Sequence, residues 1–114
     1  VDAKGKPQTK VFDAGWAGDR QPGTDGKLPP VGSTVNGAEY TNTIGAAMIG
    51  AHWVDPEFDP KQRAFYYVRV LEIPTPSWLA YDKAHFGDEM PEQPDDAVWE
   101  QKERAYTSPI WYTP

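Results

Sequence analysis

Hydrophobic positions in this chain gather in short runs, separated by polar stretches rich in Gly and Pro. The densest run is Ala64-Phe-Tyr-Tyr-Val-Arg-Val-Leu-Glu-Ile73, and a second, Thr107-Ser-Pro-Ile-Trp-Tyr112, follows about thirty positions later. Both are rich in β-branched and aromatic residues and bounded by Pro, which predicts strands. In the first run Phe65, Tyr67, Leu71 and Ile73 alternate with Tyr66, Val68 and Val70. Apolar side chains on both faces predict a buried strand, with Val68 and Val70 in the core. Its expected antiparallel neighbour is Thr107–Trp111, with Pro109 at the strand's start or facing away from a partner.

Weaker runs come earlier. Lys10–Ala17 contains Val11, Phe12 and Trp16, Ser33–Ile44 contains Val35 and Tyr40, and Ala46–Val54 alternates around Ile49, Ala51 and Trp53. Each predicts a short strand, with Gly45 breaking the last two apart. Gly18–Gly32 reads as a loop, Asp2–Pro7 as a turn and Asp55–Pro60 as a turn-rich link. Strands without intervening helices predict antiparallel pairing in a sandwich-like packing. After Ile73 the pattern changes: Thr75-Pro76 signals a helix start and Gly87 a stop, with Trp78, Tyr81 and His85 on one stripe. Pro94–Lys102 predicts a second short helix capped by Asp95. The expected architecture is mainly β: a small antiparallel β-sandwich-like module with a short helical insertion before the last strand. One domain covers 1–114, β-rich over 1–73 and 105–114, with the helix-and-loop insertion at 74–104.

A chain of 114 residues of ordinary compactness buries roughly two-thirds of its unfolded surface. Five Trp and six Tyr are the natural core, since aliphatic residues are few. Twelve Pro and ten Gly argue against long helices. The absence of Cys excludes disulfides and thiolate metal sites and leaves the compartment open, extracytoplasmic locations included. The net charge of −6 is spread along the chain, with Asp88–Glu100 distinctly acidic. That balance disfavours nucleic acid and anionic membrane surfaces. No apolar run approaches the ~20 residues of a membrane span. The sequence starts at Val1 with neither Met nor a signal-peptide pattern, so it reads as a piece of a longer polypeptide whose earlier residues carry the chemistry.

Candidate chemistry is sparse. Asp55, Glu57 and Asp59 alternate as calcium ligands do, but the positions of an EF-hand Gly and Glu hold Pro60 and Tyr66. Turn capping is the simpler reading. Gly26-Lys27 is followed by Leu28-Pro29-Pro30, which fails the phosphate-loop pattern. His52 and His85 lack metal-ligand neighbourhoods; His52 reads as a packed, hydrogen-bonded residue and His85 as a helix-terminal one, with Asp82 and Asp88 near it. Ser33, Ser77 and Ser108 show no nucleophile elbow. The carboxylates fall in loops where solvated surface is the default rather than a glycosidase pair. Arg69, inside the most apolar strand, predicts a carboxylate partner within the fold, or else a contact with a neighbouring domain.

Longer motifs add a resemblance. Trp16-Ala-Gly-Asp-Arg20, Gly26-Lys-Leu-Pro-Pro-Val-Gly32, Tyr40-Thr-Asn-Thr-Ile-Gly-Ala46, Asp55-Pro-Glu-Phe-Asp-Pro60, Arg69-Val-Leu-Glu-Ile-Pro-Thr-Pro76 and Glu103-Arg-Ala-Tyr-Thr-Ser-Pro-Ile-Trp-Tyr-Thr-Pro114 together resemble the C-terminal end of the bacterial Domain of Unknown Function 3604 family. Its members are several times longer and carry, upstream, a His-x-His element similar to the polymerase-and-histidinol-phosphatase group of hydrolases. The resemblance implies a parent that hydrolyses a phosphate or sulfate ester at a divalent-metal centre. No His-x-His is present here, so no catalytic, cofactor-binding or metal residue is assigned to this chain. The expected partner is the upstream domain of the same parent. Two readings follow: a non-catalytic structural C-terminal region, or a ligand- or glycan-binding accessory module. Three or more exposed, coplanar Trp or Tyr rings would favour binding, and buried rings would favour scaffold.

Overall fold

A computed structural model describes residues 5–114. Half of the expected turn at Asp2–Pro7, residues 2–4, lies outside them. Six short strands surround one helix: β1 Ala64–Tyr66, β2 Arg69–Leu71, β3 Thr75–Pro76, α1 Trp78–Phe86, then β4 Glu100–Gln101, β5 Arg104–Tyr106 and β6 Ile110–Tyr112. Among the described residues the chain is mainly β in small antiparallel pairs, with one α-helix ahead of the last strands.

The pairs nest. β1 pairs with β6 (Phe65 opposite Trp111), β2 with β5 (Val70 opposite Ala105) and β3 with β4 (Thr75 opposite Gln101). Between the first two pairs, Thr107 N–H donates to the Val68 carbonyl and Val68 N–H to Thr107 Oγ1, each at 3.0 Å. The result is one long two-stranded ribbon that closes around α1. Antiparallel pairing of β1 with the C-terminal run is as the sequence predicts, but β2 pairs with Arg104–Tyr106, ahead of the expected Thr107–Trp111, and β3 with β4 inside the expected helix-and-loop insertion. Pro109 sits just before β6. Its missing N–H costs the ladder nothing there.

The buried-strand expectation is corrected. Val68 and Val70 are about half exposed, because a two-stranded ribbon has no third strand or second layer to cover it. Among the described residues the buried ones are Pro74, Pro76, Ser77 and Ala80, all where the ribbon meets α1. Ser77 fixes that junction. Its N–H donates to the Trp99 carbonyl at 2.9 Å and its hydroxyl to the Val98 carbonyl at 2.7 Å. The helix begins two residues later than predicted, since Thr75 and Pro76 belong to β3, and it ends at Gly87 in a positive-φ cap. The second helix expected at Pro94–Lys102 is instead a turn (Ala97 N–H to the Pro94 carbonyl) running into β4. Pairing with β3 requires extended backbone there, so tertiary pairing overrides the local helix signal.

Strands expected at Lys10–Ala17, Ser33–Ile44 and Ala46–Val54 do not form. Their regular pairing is limited to one bridge between Asn36 and Glu39. These segments pack by side chains instead. Gly15 lies so close to Ala51 and Ile49 that an added Cβ would come within 2.9 Å of Ala51, and one at Gly45 within 2.9 Å of Ile73. Gly45 thus admits Ile73 rather than separating two strands. No helix among the described residues is long and apolar enough to cross a membrane.

The outline is extended. The Cα radius of gyration is 19.4 Å and the axes measure 62 × 32 × 28 Å, against about 13 Å for the radius of a compact domain of this length. Accessible surface is 9684 Å², some 3,400 Å² above the ~6,200 Å² of a compact protein of this mass. Only about half of the unfolded surface is buried, short of the two-thirds expected from length.

Candidate functional site

The two faces of the ribbon differ. Registered partners in an antiparallel pair share a face, and side chains two apart along a strand do as well. One face carries Ala64, Tyr66, Ile110 and Tyr112, and the N-terminal half covers its end. Trp53 meets Tyr66 at 6.2 Å between ring centroids and Phe12 at 5.0 Å. Phe58 packs edge-on against Tyr112 at 4.9 Å, whose hydroxyl donates to the Pro60 carbonyl at 3.0 Å. Tyr66 donates its hydroxyl to Asp55 Oδ2 at 2.8 Å. That hydrogen bond, then partial burial and the nearby negative charge, raise the Tyr66 phenol above its ordinary 10.0.

The other face is bare. Trp111 leans on Phe65 (5.0 Å, 36°), Phe65 lies nearly parallel to Tyr67 (6.2 Å, 14°), and Tyr67 meets Tyr106 (6.2 Å, 36°). All four rings are between 50 and 71% exposed. The register continues the row through Arg69 opposite Tyr106 and Leu71 opposite Arg104. No ion pair to Arg69 or Arg104 occurs among the described residues, so the carboxylate partner expected for Arg69 within the fold is a correction. Arg69 is exposed; Glu72 and Glu103, which flank the arginines in sequence, alternate to the opposite face.

The remaining candidates resolve into local structure. Asp55 Oδ1 accepts from Glu57 N–H at 2.8 Å, Asp59 Oδ1 accepts from Lys61 N–H at 2.9 Å, and Glu57 pairs with Lys10. These are turn-capping contacts. His52 is exposed rather than packed. His85 stacks edge-on with Phe86 at 4.8 Å, and Asp88 lies 3.6 Å from Lys83. Among the described residues no three His, Asp or Glu side chains converge as metal ligands would. Ser77 holds the helix junction. Arg20, within one of the long motifs, clasps the loop: it donates to the Pro29 carbonyl at 2.9 Å and to Ala17, while Trp16 Nε1 donates to the Arg20 carbonyl at 2.9 Å.

A cleft of about 350 Å³ lies beside α1, lined by Lys83, Met90, Gln93, Asp95 and Trp99 among others. Sequence reading missed both this cleft and the bare face. The alternation of Phe65, Tyr67 and Leu71 holds the signal for the face, but the same pattern fits a core strand equally well.

These features define a small, open, mainly β chain with an exposed aromatic face and no metal-ligand cluster among the described residues. The family model described as "Protein of unknown function (DUF3604)" matches residues 1–114, and the chain belongs to that family. No curated protein and no solved structure matches it.

Proposed function

We infer that this chain is a non-catalytic structural region whose open ribbon is completed by the upstream part of its own parent, a bacterial metal-dependent hydrolase of phosphate or sulfate esters. The carrying observation is the shortage of core: four buried residues among those described and an accessible surface of 9684 Å². In this reading the ribbon is one layer of a sandwich and the parent supplies the other. The hydrolase character and the upstream metal rest on the resemblance of the long motifs; among the described residues no metal-ligand group assembles. Denaturant unfolding of the isolated chain beside the intact parent tests it. The isolated chain should unfold over a broad range and bind a hydrophobic dye, whereas in the parent the same residues should unfold cooperatively. A sharp, dye-free transition in isolation would refute the reading.

The cleft beside Trp99 favours a second reading, a ligand- or glycan-binding accessory module. One ring beside amide and carboxylate groups (Gln93, Asp95) is a workable sugar contact. Titration with oligosaccharides should then quench Trp fluorescence in the natural chain and not in Trp99→Ala. The bare face does not serve this reading, because only Phe65 and Tyr67 are near-parallel, while Trp111 and Tyr106 each tilt by 36° against them, so three rings do not form a flat platform.

A further inference from the structure

We propose that the bare ribbon face, Trp111–Phe65–Tyr67–Tyr106 with Arg69 and Arg104, is a protein-docking surface whose partner is apolar at its centre and carries a carboxylate seated between the two arginines. This rests on the structural reading above and places the partner on the same parent polypeptide. Three observations carry it.

The first is area. The excess accessible surface of roughly 3,400 Å² is several times the ~800 Å² that one side of a standard interface buries. A surface of that extent belongs to an obligate contact, and the largest continuous ring row on the described chain is its natural centre. The second is composition. Trp, Tyr and Arg are the residues that dominate binding energy in protein interfaces, and here they share one face, rings toward the Trp111 end and arginines toward the helix.

The third is charge. Residues 64–71 and 104–112 carry two charged side chains, Arg69 and Arg104, and no carboxylate. The register makes these arginines diagonal neighbours across β2 and β5, about 7–8 Å apart at the backbone. Two guanidinium groups so placed repel each other until an anion lies between them, and a carboxylate accepts from both. Covering them without one would bury unpaired charge. A second copy meeting this face about a two-fold axis would bring four guanidinium groups together, so a second copy is disfavoured. The acidic stretch 82–103, with eight carboxylates against two lysines, works against single-stranded nucleic acid, which would otherwise suit rings and arginines.

The experiment is hydroxyl-radical footprinting of the intact parent, read by mass spectrometry at Trp111, Tyr67 and Tyr106. Trp78, exposed on α1 and in ring contact with Tyr81 rather than with this row, is the internal reference. Docking predicts Trp111 modification slower than that of Trp78 by about tenfold or more, as for a ring sealed from water at an interface centre. The double variant Arg69→Glu/Arg104→Glu should restore rapid modification at Trp111, and Arg69→Lys/Arg104→Lys should leave protection largely in place. A bare Trp111 in a parent whose other residues from this chain are protected overturns this inference and leaves the structural reading standing. Uniform exposure of residues 5–114 in the parent overturns both. Protection that disappears on dilution assigns the face to a second copy, and protection that appears only with an added oligonucleotide assigns it to nucleic acid. Protection unaffected by charge reversal removes the carboxylate. Each of these three overturns the proposal.

Discussion

Tyr66 joins the ribbon to the Asp55 turn through one hydroxyl, 2.8 Å from the carboxylate. Ionising the phenol breaks that hydrogen bond and sets phenolate against carboxylate, which is why its titration lies above 10.0. A raised phenol value means the fold prefers the neutral form. The associated stability is complete below the unfolded value and is lost as pH rises through the folded one. Tyr66→Phe should therefore flatten the alkaline fall in stability and remove one late step from the absorbance titration near the tyrosinate band. An equally steep fall in the variant would show the contact to be inert. At this scale the sequence was legible for turns: Asp55 and Asp59 cap as their Asp-Pro context predicts, since an Asx turn needs only its own neighbours. Arg69 and His52 were misplaced because their environment depends on what lies across space, which no local pattern encodes.

Among the elements, the junction of β3, β4 and α1 is the best-packed part. Ser77 stands at the N-cap of α1, yet its hydroxyl bonds Val98 across the junction rather than a helix amide. Ser77→Ala removes that donor from a part-buried contact whose acceptor residue, Val98, is itself exposed, at a cost of about 0.5–1.5 kcal/mol. Native-state hydrogen exchange of the α1 amides in the intact protein should accelerate accordingly, and unchanged exchange would locate the helix's anchor elsewhere. The helix and the ribbon could be read from sequence because capping signals and dense alternation are local and strong. The strands expected at 10–17 and 46–54 could not. A β-branched, aromatic run fits any pleated surface, but a strand exists only where a ladder partner lies alongside. Here the partner is a side-chain contact through Gly15 instead. The same confusion placed Val68 and Val70 in a core: two apolar faces demand two covers, and this chain provides part of one.

For the whole molecule, the quantity that matters is surface withheld from water. Unfolding this shape exposes only about seven-tenths of the area that a compact chain of equal mass would expose. The urea dependence of its unfolding in isolation should be reduced by about that factor, and a slope typical of compact domains would mean the chain contracts when free. Length and composition could not reveal this. A chain of 114 residues with 13% aromatic content is equally consistent with a closed core and with an open surface built to be covered, because both place the same residues in the same runs.

The nesting of the three ladders also sets an order of assembly. Joining Pro76 to Glu100 closes the shortest loop, and once it is shut, the steps to Leu71 with Arg104 and to Tyr66 with Ile110 each span only a few further residues. Loop-closure entropy grows slowly with length but must be met first where nothing is yet held. The chain should therefore zip outward from the helix, with the Ser77 junction formed early and the pair bearing Trp111 closing last. By the same logic it should fray from the Trp111 end under load, so the rings most in need of cover sit on the rung that opens first.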